Sequence, residues 1–182
     1  MRFLLSTQGM LIFMSITVDY RLFSCKIVVM SKVGVGIITC DRPDMYDICI
    51  ESIDKSWYDE LVVVDDGKKD HPNHNRDGIY IQTTGGEGVG KAKNSALKHL
   101  MDEGSDYIFL IEDDMKFTGN IFKEYIDAYE QTGIHHFMFA YHGPANKAGV
   151  SYGKPVPRKV IDYGDHKIAL NQHCVGAVTF YT

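Results

Sequence analysis

The sequence has no excess of basic residues, which argues against nucleic acid as a partner. Its 182 residues include 19 Lys and Arg but 24 Asp and Glu, which gives a formal net charge of -5. Proteins that bind a nucleic-acid backbone do so largely through a basic surface that displaces counterions from the phosphates. We therefore expect no nucleic-acid partner.

Cysteines are few and widely spaced. The chain has four of them, and no two form a C-x-x-C pair. Paired spacing is what a zinc site or a disulfide framework would show. We therefore expect neither, and reduced thiols indicate a cytoplasmic protein. The four residues are Cys25, Cys40, Cys49 and Cys174.

Long apolar runs are also missing, so the sequence predicts no transmembrane segment. A bilayer-spanning helix needs about 20 consecutive apolar residues, and the apolar stretches within residues 1–18 are split by Ser6 to Gly9. A signal peptide stays an alternative, because Arg2 precedes apolar residues, although no clear cleavage site follows. We predict a peripheral extension over residues 1–30 and one domain over residues 31–182, a length that fits a single core.

Short apolar runs alternate with helix-period segments from residue 33 onward. This alternation is typical of βαβ units, and it predicts an α/β fold with a mostly parallel central sheet covered on its faces. Helices are predicted over residues 44–56, 88–103 and 119–132. Strands are predicted over residues 33–39, 61–64, 79–81, 107–111, 136–141 and 175–181, with a Gly- and Pro-rich stretch over residues 143–157.

Polar clusters follow three of the predicted strands, at Thr39 to Arg42, Asp65 to Gly67 and Glu112 to Asp114. Ligands of open parallel sheets bind beyond the carboxyl ends of the strands, so these clusters mark one edge. Alternation along extended backbone predicts that Glu112 and Asp114 share one side. Neighbouring carboxylates repel unless a cation lies between them, and Mg²⁺ or Mn²⁺ with bound phosphates is the natural one. The alternatives are solvating acids at a strand end and, at residues 65–67, an ordinary turn.

The segment from Gly85 to Ala92 nearly spells a phosphate-binding P-loop. Ala92 stands where that motif needs Ser or Thr, so a P-loop nucleotide hydrolase is the less favoured interpretation. The favoured one is that the glycines let backbone approach a ligand while Lys91, Lys93 and Asn94, in the first turns of a helix, face phosphate oxygens. A solvated helix face is the alternative for these side chains.

Four segments, taken in order, resemble a family 2-like glycosyltransferase of the GT-A fold. They are Val35–Pro43, Glu60–Gly67, Gly88–Asn94 and Tyr107–Asp114, and the resemblance covers roughly residues 33–118. It implies a Rossmann-like three-layer sandwich that moves a hexose or N-acetylhexosamine from a nucleotide-diphospho-sugar donor, a UDP-sugar above all, to an unknown acceptor. A non-catalytic nucleotide-sugar-binding domain is the alternative.

The resemblance also implies roles for residues near the nucleotide. Thr39, Asp41 and Asp66 would line the uridine pocket. Lys91 and Asn94 would lie near the base or the diphosphate.

The acidic cluster takes the place of the DxD motif of that family. In the Glu-Asp-Asp variant that it resembles, Glu112 would lie near the ribose, Asp113 near the donor sugar, and Asp114 would bind the metal, Mn²⁺ or Mg²⁺. The metal would neutralise the leaving diphosphate.

The chain departs from the family pattern near its end. Inverting members place the catalytic acid well after a strand that resembles Cys174–Phe180, whereas this sequence ends at Thr182. Asp162 and Asp165 are the candidates for the base. Otherwise we expect a fragment, a donor-binding protein, or an enzyme whose acceptor side is supplied by a partner chain.

Three late histidines could supply a further metal or diphosphate contact, as some GT-A enzymes use a late His. A structural role is the more common alternative for a lone His. The three are His142, His166 and His173.

Overall fold

A computed structural model describes residues 31–69, 78–138, 150–151, 154–155, 159–164, 166–170 and 176–182. The predicted peripheral extension over residues 1–30 lies outside them. The helices are α1 (Pro43–Glu51), α2 (Val89–Asp102) and α3 (Ile121–Thr132). The strands are β1 (Val33–Thr39), β2 (Glu60–Asp65), β3 (Ile79–Gln82), β4 (Tyr107–Glu112), β5 (His136–Met138), β6 (Val150–Ser151), β7 (Lys154–Pro155), β8 (Lys159–Tyr163), β9 (His166–Leu170) and β10 (Val178–Tyr181). Within these ranges no helix is long and apolar enough to cross a membrane.

Six strands form the central sheet in the order β3-β2-β1-β4-β10-β5. The pairs β3-β2, β2-β1 and β1-β4 are parallel, and β10 runs antiparallel to both of its neighbours. The prediction of a mostly parallel α/β sheet is confirmed. The chain builds outward from β1 to β3 and then returns to place β4 on the other side of β1. The strand order therefore reverses at β1.

Helices cover both faces of the sheet, as the sequence predicted. One face packs under α2 and the other under α1 and α3, because strand residues alternate between the two faces. The α2 face is formed by Ile38, Val62, Val64, Ala92, Ala96, Leu100, Ile108 and Leu110. The opposite face is centred on Val35, Ile37, Tyr46, Cys49, Leu61, Val63, Phe109, Ile111, Phe122, Val178 and Phe180. The architecture is the three-layer sandwich.

Small residues let α2 lie directly on β1. An added Cβ on Gly36 would stand 2.9 Å from the Cβ of Ala96 and 2.9 Å from Cδ2 of Leu110. Real Cβ atoms do not approach other atoms this closely. The position of α2, and with it the loop before α2, is therefore set by a glycine in the strand.

Replacing Gly36 with Val is expected to lower the free energy of unfolding by about 2 kcal/mol or more, because overpacking a filled core forces side chains and backbone to shift. Urea denaturation checks this. Gly90→Ala in α2 is the matched control, since among the described residues no atom lies within 4 Å of its added Cβ. An unchanged midpoint for the Gly36 variant would contradict the close packing.

The predicted helix over residues 44–56 is wrong in its last turn. The α1 helix ends at Glu51, and a separate 3-10 turn follows at Lys55–Trp57. The side chain of Asp54 accepts the backbone N–H of Ser56 at 2.8 Å, which caps the new turn instead of continuing the helix. Local side-chain bonding thus outcompetes the helical ladder here.

Two short hairpins were not predicted. β6 pairs with β7 and β8 pairs with β9, both antiparallel and both outside the hydrogen-bonded central sheet. The first falls in the Gly- and Pro-rich stretch over residues 143–157, which suits tight turns as well as loops.

Candidate functional site

Three parallel strands end together at one edge of the sheet. Their last residues are Thr39 in β1, Asp65 in β2 and Glu112 in β4. The backbone N–H of Asp66 donates to the carbonyl of Thr39 at 2.9 Å, and that of Asp113 donates to the preceding carbonyl of β1 at 3.1 Å. The two acidic clusters therefore flank the end of β1, as predicted. This is also where the strand order reverses, the usual ligand crevice of an open α/β sheet.

Asp113 is buried at this edge, with 1% of its surface exposed. Its carboxylate accepts a hydrogen bond from Thr39 Oγ1 at 2.7 Å and pairs with the guanidinium of Arg42. Burial raises the pKa of Asp113 above its ordinary value of 3.8, and the contacts with Thr39 and Arg42 offset this only in part. The structure thus holds a costly buried acid in the crevice.

Asp114 lies on the open side of the same guanidinium. Nη1 of Arg42 is 4.0 Å from Oδ2 of Asp114, and both side chains are 48% exposed. At that distance the two groups attract each other without a hydrogen bond. The carboxylate of Asp114 is therefore accessible to a ligand.

The carboxylate of Glu112 contacts a lysine of α2. Nζ of Lys93 donates to its Oε1 at 2.6 Å and also donates to the carbonyl of Gly176, just before β10. We predicted that Glu112 and Asp114 lie on the same side of the strand. The contacts do not show this, because β4 ends at Glu112 and a turn follows. Asp114 instead lies beside Arg42.

Asp66 ties the end of β2 to the loop before α2. Its carboxylate accepts the hydroxyl of Thr83 at 2.5 Å and the backbone N–H groups of Glu87 at 2.9 Å and Gly88 at 2.7 Å. The bond from Thr83, followed by those from the two amides, holds the pKa of Asp66 below its ordinary value. This predicted uridine contact therefore also has a structural task, since it orders the glycine-rich loop.

Asp41 joins the turns after β1 and β2. Its Oδ1 accepts the backbone N–H groups of Lys68 and Lys69, both at 3.1 Å. Its φ of 50° lies in the left-handed region, which non-glycine residues adopt at a cost of order 1–3 kcal/mol. An added Cβ on Gly67 would stand 2.6 Å from Oδ1 of Asp41, so the glycine is required for this approach.

Lys91 and Asn94 are exposed in the first turns of α2. Nζ of Lys91 lies 3.3 Å from Oε2 of Glu87. A P-loop turns its backbone N–H groups toward phosphate, whereas those of Glu87 and Gly88 donate to Asp66. The geometry therefore gives no support to the P-loop interpretation.

Sequence reasoning assigned no role to Arg42 or Thr83. Arg42 lies three residues after the end of β1, and Thr83 directly follows β3. The signal was their position at strand ends on the predicted ligand edge. Their partners, Asp113 and Asp66, could not be read from that position.

Of the two candidate bases, Asp162 is not brought to this edge. Asp162 is exposed in β8, close to the turn at Gly164, where an added Cβ would stand 3.2 Å from Oε1 of Gln131. Gln131 lies in the last turn of α3, at the edge opposite the acidic cluster, because α3 runs antiparallel to β4. In the hairpin, His166 of β9 pairs in backbone register with Tyr163 of β8.

Three other predicted residues cannot be placed in the structure. Asp165, His142 and His173 lie outside the described residues.

The described residues contain no group of three or more His, Cys, Asp or Glu side chains arranged to hold a metal ion. Asp113 is engaged by Thr39 and Arg42, and Glu112 by Lys93. Mg²⁺, however, is often bound by one or two carboxylates with substrate phosphates as the remaining ligands. The site fits a metal shared between the carboxylate of Asp114 and a phosphate ligand, and does not fit one held by protein alone.

No protein-family model matches the sequence, and no curated protein matches it. Solved structures do match. The fold is similar to part of TarS. The crystal structure of S. aureus TarS 1-349 in complex with UDP aligns with a TM-score of 0.50 and 19% sequence identity, over 69% of this chain and 38% of that one.

Two further TarS structures align less closely. S. aureus TarS 1-349 gives a TM-score of 0.48 at 20% identity, over 62% of this chain and 37% of that one. S. aureus TarS gives 0.48 at 18% identity, over 59% and 21%. TarS is a glycosyltransferase. The chain spans less than two fifths of the length of these neighbours. The alignment with the UDP complex shows a similar fold and nothing more.

Proposed function

We propose that this chain is a nucleotide-sugar glycosyltransferase domain that moves a hexose or N-acetylhexosamine from a UDP-sugar donor to an acceptor, using Mn²⁺ or Mg²⁺. The observation that carries the proposal is the group formed by Arg42, Asp113 and Asp114 at the point where the strand order reverses. A buried, destabilised acid beside an exposed acid and a half-exposed cation is typical of a site kept for binding rather than for stability.

The shared fold supports the choice of nucleotide. The TarS structure with the higher TM-score was solved in complex with UDP. In a Rossmann-like sheet the base and ribose lie over the strand ends. Thr39, Asp41 and Asp66 occupy those ends here, and the uridine is proposed to lie across them.

Charge favours a divalent cation in the proposed complex. The single positive charge of Arg42 faces the carboxylates of Asp113 and Asp114, and a donor diphosphate would add further negative charge. When bound, the metal would supply Lewis-acid neutralisation of the leaving diphosphate. Asp114 would hold it, while Asp113, fixed by Thr39 and Arg42, would face the donor sugar.

The structure offers Cys40 as a natural reporter of the proposed uridine site. Cys40 is exposed between Thr39 and Asp41, whereas Cys49 is buried. UDP with Mn²⁺ is expected to slow alkylation of Cys40 by iodoacetamide at least about fivefold, because bound ligand excludes the reagent from the strand end. Peptide mass mapping over time measures this rate for each cysteine separately.

The pH dependence and an internal control accompany this measurement. Partial desolvation of its sulfur, and then the neighbouring Asp41 and Asp66 carboxylates, raise the pKa of the exposed Cys40 thiol above 9.0, so alkylation should accelerate steadily from neutral to alkaline pH. Burial raises the pKa of Cys49 to about 12, and this residue should stay unmodified. Equal rates at Cys40 with and without UDP would reject the placement of the uridine.

A non-catalytic nucleotide-sugar-binding domain is the second candidate. It is favoured by the position of Asp162, the candidate base, on the hairpin near the end of α3 rather than at the acidic cluster. An acceptor side supplied by a partner chain would reconcile that position with catalysis. Hydrolysis or transfer of a UDP-sugar by the purified chain, followed as release of UDP, would eliminate the non-catalytic candidate.

A further inference from the structure

We propose that Arg42 binds the diphosphate of the donor, in place of the residues at the start of α2 that sequence reasoning favoured. This inference rests on the proposed function and names the side chain that recognises the anion. It follows from the contacts and the exposure of the positively charged side chains at this edge of the sheet.

The start of α2 already holds acidic groups of the protein itself. The carboxylate of Asp66 accepts the backbone N–H groups of Glu87 and Gly88, the amides that precede the first helical turn. Nζ of Lys91 lies beside the carboxylate of Glu87, at 3.3 Å. The backbone amides that precede α2 are therefore already used within the protein, which weakens the attraction of this helix end for a phosphate.

Lys93 is similarly engaged. Its side chain is 16% exposed, and its ammonium donates to Glu112 and to the carbonyl of Gly176. Moving it to a phosphate would leave Glu112 without this cation and would release the backbone before β10. The ammonium of Lys93 thus has a structural role at the site.

Arg42 has both the exposure and the donors that a phosphate needs. A guanidinium carries five N–H donors in a planar fork, and Nη2 uses one edge of it on Asp113. Nη1 lies 4.0 Å from Asp114, beyond hydrogen-bond distance, and the side chain is 48% exposed. Because Asp113 holds Nη2 and the side chain is half-exposed, the guanidinium is anchored while it still has N–H donors for phosphate oxygens, which a planar guanidinium can bind in pairs.

Calorimetry with UDP, UMP and uridine tests the inference, in buffer with Mn²⁺ and in buffer with a chelator. The wild-type chain should bind UDP more tightly than uridine. Arg42→Gln should weaken UDP binding at least about tenfold, the loss expected for a charge-assisted hydrogen bond, and leave uridine binding within about twofold. The effect should persist in chelator, because the guanidinium belongs to the protein.

Three variants keep the test decisive. Arg42→Lys retains the charge without the fork and should give an intermediate loss. Arg42→Gln combined with Asp113→Asn removes the unpaired buried carboxylate, and so reports on the diphosphate even where Arg42→Gln alone folds poorly. Lys98→Gln, an exposed α2 lysine paired with Asp102, should bind all three ligands as the wild type does.

Failure of the inference and failure of the proposed function give different results. An unchanged preference for UDP over uridine in both Arg42→Gln proteins would overturn the role of Arg42 alone. Equal wild-type affinities for UDP and uridine would do the same, since no diphosphate contact would then exist. A wild-type chain that binds none of the three ligands would overturn the proposed function itself.

Discussion

Replacing Asp114 with Asn is expected to abolish the Mn²⁺-dependent part of UDP binding, a loss of about 100-fold. The neutral amide is a poor ligand for a hard cation, and one metal contact to the diphosphate is worth several kcal/mol. The measurement is calorimetric titration of UDP at increasing Mn²⁺. In chelator the variant should bind UDP at least as tightly as the wild type, because the substitution removes a carboxylate that repels the diphosphate.

The Asp114→Asn substitution should change ligand binding with little effect on stability. The Asp114 side chain is 48% exposed and has no hydrogen bond to Arg42 at 4.0 Å, so stability should change by no more than about 0.5 kcal/mol. Undiminished Mn²⁺-dependent binding of UDP by the variant would reject Asp114 as the metal ligand.

Two isosteric changes on either side of β1 should differ in their effect on stability. Asp66→Asn should lower the free energy of unfolding by about 2 kcal/mol, because an amide has one acceptor oxygen for three donors, and its NH₂ would face a backbone N–H. Asp113→Asn should leave stability unchanged or raised, since burial disfavours the charged carboxylate. Urea denaturation at neutral pH compares the two.

The pH dependence separates them further. The folded pKa of Asp66 is lowered, so its contribution is complete above the unfolded value of 3.8 and is lost as pH falls through the folded pKa. The folded pKa of Asp113 is raised, so its ionisation costs stability as pH rises from 3.8 through the folded pKa. Each Asn variant should lack the corresponding slope. Equal destabilisation by both substitutions would contradict this assignment.

Much of the sheet was predictable because apolar runs and acidic strand ends are local patterns. The runs that became β1, β2 and β4 are buried between two helical layers, which requires nearly continuous apolar sequence. The acids after them mark the edge where chain direction forces strand ends to meet. Errors came where local bonding decided, as at Asp54, whose side chain starts a new turn where a longer helix was predicted.

The partners within the site could not be predicted. The sequence pattern predicted that Lys93 faces a phosphate, whereas in the structure its ammonium contacts Glu112. It placed Asp66 in a ligand pocket, without showing that the same carboxylate accepts amides 21 and 22 residues further along the chain. Such pairs depend on how the loops after two different strands approach each other. The periodicity of the sequence does not encode the distance between those loops.

By itself, the sequence determined that this protein has a parallel α/β core and that carboxylates gather at the ends of its strands, because both follow from residue type and chain direction. Only the tertiary structure decided which cation faces which acid. Placing β4 beside β1 brings Arg42 onto Asp113, and seating α2 on Gly36 brings Lys93 to Glu112. These contacts join segments distant in the chain, so they exist only once the strand order is fixed.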